Sequence, residues 1–175
     1  MPGAITELNP VTIIRAAAIG QPGRRVFYLQ ARAGRELVTL IVEKAQLQSL
    51  AVAIEQLLAE LRDRFPELPE ASAAFTEGEV RLEQPIDPLF RVGEIGLGYD
   101  RDLDLLVLET RELITEATDP AEASVARFWC TRSQLRALAR WGLELAGRGR
   151  PICGNCGEPI DPEGHFCPKR NGHKH

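Results

Sequence analysis

Histidine is nearly absent from this chain. Its three histidines, His165, His173 and His175, all fall in the last eleven residues. Acid–base chemistry anywhere before them would rest on carboxylates, arginine or tyrosine, none of which titrates near neutrality unless perturbed. No Gly-x-Ser-x-Gly nucleophile elbow is present. Both absences argue against an enzyme. No apolar run approaches the roughly 18 residues that a bilayer span needs. The N-terminus lacks a basic stretch followed by an apolar one, so no secretory leader is read there. A cytoplasmic protein without a membrane partner is expected.

Cysteine is scarce as well, and its placement is informative. Of four cysteines, Cys153, Cys156 and Cys167 cluster, while Cys130 stands alone in an apolar run. In a reducing compartment a cluster points to metal and an isolated cysteine to the core. Charge is uneven. Residues 1–64 carry 8 basic and 6 acidic side chains, residues 65–150 carry 10 and 16, and the remainder 3 of each. No segment is basic enough for tight nonspecific nucleic-acid binding.

Hydrophobic residues make up 44% of the 175, enough for a real core in one domain with a small appendage. The first half reads as strands over residues 4–8, 11–19, 25–32 and 37–42. Turns are expected at Gly20-Gln21-Pro22-Gly23 and Ala33-Gly34-Arg35. Then the period changes. Leu47, Leu50, Ala51, Ile54, Leu57, Leu58 and Leu61 mark one face of a helix over 44–65, ended by Pro66 and Pro69. The second half repeats the plan. Strands are expected at 79–83, 89–97 and 102–115, with Leu103, Leu105 and Val107 on one face. An apolar segment at 124–130 and a second helix follow. That helix turns Leu135, Leu138, Ala139, Gly142, Leu145 and Ala146 to one side. Thr131-Arg132-Ser133-Gln134 fits a capping box at its start.

At an offset of 88 residues the two helices align, Gln46-Leu47 on Gln134-Leu135 and Leu50-Ala51 on Leu138-Ala139. Gly142 falls opposite Ile54, where it is expected to allow close packing against a bulky neighbour. The expected fold is therefore an α+β body, residues 1–147. It holds two pseudo-symmetric antiparallel strand-strand-strand(-strand)-helix units, about 1–65 and 78–147, that bury their apolar faces together. A zinc-ribbon-like module over 151–175 completes the chain.

The tail carries the clearest chemistry. Cys153-Gly154-Asn155-Cys156-Gly157 is a zinc knuckle, in which a tight turn aims both sulfurs at one metal. Phe166-Cys167-Pro168 resembles the start of a second knuckle, and His173 stands where a longer loop returns. Cys153, Cys156, Cys167 and His173 are the expected zinc ligands, with His165 the alternative fourth. Three thiolates and an imidazole close the coordination sphere, so the zinc is structural rather than catalytic.

Other constellations say less. Asp100, Asp102 and Asp104 alternate, but Leu105 and Arg111 stand where an EF-hand needs Gly and Glu. A solvated hairpin is the better reading. Gly93, Gly96 and Gly98 fit a bent or bulged strand. Arg24, Arg25, Phe27, Tyr28, Arg32 and Arg35 gather cations and aromatics on one hairpin, a possible surface for a partner or for single-stranded nucleic acid.

Gly20-Gln21-Pro22-Gly23, the Phe27-Tyr28-Leu29-Gln30-Ala31-Arg32 segment, the Glu43-Lys44 helix start and the tail from Cys153 to His173 resemble a bacterial domain-of-unknown-function family. The resemblance spans nearly the whole chain. It implies a cytosolic bacterial protein with a metal-binding tail, and no activity. The paired strand-and-helix units are also similar in architecture to the Whirly and PUR single-strand-binding folds, an analogy without a shared motif. The residues together suggest a non-enzymatic binding or regulatory protein. Acidity favours a protein partner. The zinc ribbon and the Arg/aromatic hairpin favour the alternative, single-stranded nucleic acid.

Overall fold

The computed structural model describes residues 3–21, 23–74 and 80–147. The expected zinc ligands Cys153, Cys156, Cys167, His173 and His165 lie outside the described residues. The body is α+β: seven strands in one mixed sheet and two helices. The strands are β1 (Ile5–Leu8), β2 (Ile13–Ile19), β3 (Val26–Ala33), β4 (Glu36–Val42), β5 (Pro88–Asp100), β6 (Leu105–Glu112) and β7 (Val125–Cys130). Helix α1 (Lys44–Arg64) follows β4, and α2 (Arg132–Gly147) follows β7.

β2-β3-β4 is an antiparallel meander, and so is β5-β6-β7. Two parallel joins link them, β4 to β5 and β7 to β1. These joins make the sheet mixed, where the alternation of short strands suggested antiparallel pairing alone. The hydrogen-bonded order runs β1-β7-β6-β5-β4-β3-β2. β1 and β2 thus sit at opposite edges, although only a short connection separates them in sequence. Val11 N–H donates to the Trp129 carbonyl at 2.8 Å, and Thr12 N–H to the Arg32 carbonyl at 2.7 Å. Adjacent residues of this connection thus bond β7 and β3, the strands next to the two edges.

Period-two alternation sets the core face. Ile14, Ala16, Phe27, Leu29, Ala31, Val38, Leu40 and Val42 point inward from the first meander, and Leu106, Leu108, Ala126, Phe128 and Cys130 from the second. Both helices lay their periodic faces on this core. In α2 the six expected positions are the buried ones, from Leu135 to Ala146. Cys130 is a free, buried thiol, and burial pushes its pKa up, as a core cysteine requires.

Three local expectations need correction. Residues 80–83 are not a strand. The backbone of Glu83 is bonded by the side chain of Gln30 rather than by a neighbouring strand. β6 begins at Leu105 because Arg101–Asp104 form the turn, with Asp104 at φ 49°. Leu106 and Leu108 face the core, Leu105 and Val107 share the opposite face, and Leu103 lies exposed in the turn rather than on the strand. Gly142 is buried, yet a Cβ built there meets nothing within 4 Å outside its own helix. Close packing does not explain it. Gly142→Ala is expected to stabilise the protein by about 0.5–1 kcal/mol, since alanine restricts the unfolded chain and favours helix. An upward shift in the urea midpoint at unchanged slope would show this; a downward shift would contradict it.

The turns agree with their residues. Gly20, at φ 114°, would place a Cβ 2.8 Å from the Arg24 carbonyl oxygen, and Gly34 sits at φ 60° in the β3–β4 turn. The glycine-rich β5 carries a register shift between Val92 and Glu94. A Cβ on Gly93 would lie 2.7 Å from Leu113 Cα. Among the described residues no helix is long and apolar enough to cross a membrane.

Candidate functional site

The basic and aromatic side chains of the first hairpin do not form one continuous surface. Arg24 and Arg35 are exposed beyond opposite ends of β3. Arg25 stacks over the Phe27 ring at 4.8 Å and donates to the Leu145 carbonyl at 3.2 Å, so it ties the hairpin to α2. Arg32 is ion-paired to Glu83, Nε to Oε2 at 2.8 Å. Tyr28 is half-buried on the same outer face.

A polar row underlies that face. Arg15, Gln30 and Thr39 are cross-strand neighbours on β2, β3 and β4, buried to 6%, 1% and 2% exposure. Gln30 Nε2 donates to Thr39 Oγ1 at 2.9 Å and to the Glu83 carbonyl at 3.1 Å, while Gln30 Oε1 accepts from Glu83 N–H at 2.8 Å. Arg15 donates to the Arg81 carbonyl. One amide thus grips the backbone of the segment that covers the outer face, as a neighbouring strand would.

Asp104 is a second hub. Its carboxylate accepts from Arg132 Nε at 2.9 Å, from a second Arg132 nitrogen at 3.1 Å and from the Tyr99 hydroxyl at 2.7 Å. The bidentate Arg132 fork holds the Asp104 carboxyl below its ordinary range. Burial, then the Asp104 hydrogen bond, raises Tyr99 to about 12, so its hydroxyl remains a donor at neutral pH. Asp100 accepts from Leu103 N–H at 3.1 Å and shapes the same turn. Two of the three alternating aspartates therefore serve the hairpin. Among the described residues no group of three or more His, Cys, Asp or Glu side chains is placed to hold a metal ion.

Each helix start is wired to the backbone of the other half, α2 to the β1–β2 connection and α1 to β5. Gln134 completes the capping box with Thr131, at 2.8 and 3.0 Å, and also donates to the Val11 carbonyl at 3.2 Å. Gln46 accepts from Glu43 N–H at 2.8 Å and donates to the Val92 carbonyl at 3.0 Å. Beyond each glutamine, helix and strand diverge and leave a groove. Between α2 and β2 the groove keeps about 280 Å³ and is lined by Trp141, whose indole N–H donates to the Ala16 carbonyl at 2.7 Å. Between α1 and β5 the groove is open, about 410 Å³, and lined by Ala45, Ser49, Leu50, Ala53, Ile95 and Leu97. Ala53 stands 88 residues before Trp141. The helix alignment contains this difference, but composition and motifs gave no reason to single it out.

The fold and these surfaces define an α+β protein with a mixed seven-stranded sheet and an apolar groove at one helix–strand seam. The chain belongs to the family described as a protein of unknown function, DUF3090, whose model matches residues 6–167. The matched span includes Cys153, Cys156, His165 and Cys167 and stops before His173. No curated protein and no solved structure matches the chain.

Proposed function

We propose that this chain is a non-enzymatic binding protein whose partner is another protein, seated in the groove between α1 and β5. The open groove carries this reading. An apolar slot of that size favours an apolar side chain on a folded or extended partner. Its counterpart beside α2, smaller at about 280 Å³, is lined in part by the chain's own indole, which supports an aromatic or apolar side chain as the occupant. We read the body as two pseudo-symmetric units. The common strand order and the matching roles of Gln46 and Gln134 support that. On this reading the halves differ where one keeps Trp141 and the other has Ala53.

The tail belongs to the same proposal. Cys153, Cys156 and Cys167 with His173, or His165 in its place, supply the number and type of donors for a closed tetrahedral zinc site. Zinc would fold the tail and take no part in a reaction. A cytoplasmic location suits a cluster of metal-binding thiolates. Single-stranded nucleic acid is the alternative ligand, through Arg24, Arg25, Tyr28, Arg32 and Arg35.

Ala53→Trp tests the groove directly, because it places an indole where the groove beside α2 is lined by Trp141. Affinity capture from cell extract, with and without nuclease, should recover a protein partner that the variant retains at least about tenfold more weakly. Undiminished capture by Ala53→Trp, or capture that vanishes with nuclease, would contradict the proposal.

A further inference from the structure

A second cleft, of about 450 Å³, opens between the end of α1, the loop after it and the start of α2. Its lining includes the apolar Leu58, Leu61 and Leu68 together with Arg62, Arg132 and Arg136. Arg132 is consumed by Asp104 and by the Pro69 carbonyl, at 2.6 Å. Arg136 is held by a bond from one terminal nitrogen to the Ala71 carbonyl at 2.5 Å. Its Nε is buried and makes no hydrogen bond, with the nearest carboxylate, that of Glu55, at 3.8 Å.

Glu70 occupies the space between two guanidinium groups. Its Oε1 lies 3.7 Å from Arg136 and 3.8 Å from Arg62. Both distances lie beyond hydrogen-bond range, so the carboxylate is attracted by charge and bonded to neither. Its side chain is 74% exposed. Ion pairs this exposed contribute little net free energy, and Glu70 can leave at small cost. When it does, Glu55, 3.8 Å from Arg136, is the remaining carboxylate paired with these two arginines among the described residues, and the cleft becomes more positive by one charge.

We propose that this cleft is a binding site for a small monocarboxylate with a short apolar chain, and that Glu70 is the internal carboxylate such a ligand displaces. The ligand's carboxylate takes the position between Arg62 and Arg136, and its chain lies along Ala59, Pro66 and Leu68, above the buried Leu58 and Leu61. Inorganic phosphate has the charge without the chain, and octanamide the chain without the charge.

The test is titration of the full protein with octanoate, octanamide and phosphate, followed by amide chemical shifts. Octanoate should give saturable shifts around residues 58–71 and 132–136 that octanamide and phosphate do not. Glu70→Gln removes the competing carboxylate and should tighten octanoate several-fold. Arg62→Gln, at a position 65% exposed and so harmless to the fold, should weaken it several-fold. Equal binding of octanoate and octanamide, an absence of saturable shifts with Glu70→Gln, or indifference to both substitutions would overturn the proposal.

Discussion

Gln30→Ala is expected to destabilise the protein by about 3 kcal/mol, a fall of roughly 10 °C in melting temperature for a domain of this size. The alanine strands Thr39, which is 2% exposed, and deprives the Glu83 backbone of both its Gln30 bonds. A buried polar group left unpaired costs about 1–3 kcal/mol. Thr39 bears that in full; Glu83 lies nearer solvent and bears less. A cavity where the amide stood adds to the total. Hydrogen exchange makes the test specific. In Gln30→Ala the Glu83 amide should lose protection far more than amides in β6 or β7. A loss below about 1 kcal/mol, with Glu83 protection unchanged, would mean that the amide does not hold this segment.

Cys156→Ser should abolish stoichiometric zinc. Elemental analysis of the purified chain is expected to find about one zinc per molecule, and the variant should hold almost none. The energetic effect is larger than any substitution in the body, since zinc binding in finger peptides amounts to about 10–16 kcal/mol. A tail with Ile152, Ile160 and Phe166 as its main apolar residues cannot replace that by burial. His173→Ala and His165→Ala then decide the fourth ligand, because only the true one should lower zinc affinity sharply. Full zinc in Cys156→Ser would refute the site.

Where a single period or motif controls the outcome, the sequence is legible. The face of α1 and the capping box of α2 depend on contacts within one helix, and both follow their residues. Cys130 sits in the core as an isolated cysteine in an apolar run should. The rest involves partners distant in sequence. The inward face of β6 is set by pairing with β5 and β7 after a four-residue turn, and Leu103, Leu105 and Val107 alternate as regularly as the inward set. Residues 80–83 have strand-like composition, but the Gln30 amide meets the needs of Glu83 and no ladder forms. Nothing local marks the bonds of Val11 and Thr12 to β7 and β3, or Arg132 as the partner of Asp104. The groove was present in the helix alignment only as an alanine opposite a tryptophan. Its meaning depends on the strand beneath.

Photocrosslinking from the rim of the groove is the most direct measurement of the proposed partner site. With Val52, exposed beside Ala53 and outside the lining, replaced by benzoylphenylalanine, irradiation in cells should give a discrete protein adduct that resists nuclease, while the same group at Tyr28 should give none. Adducts confined to position 28 and sensitive to nuclease would place the binding surface on the β3 hairpin and contradict a protein partner in the α1–β5 groove.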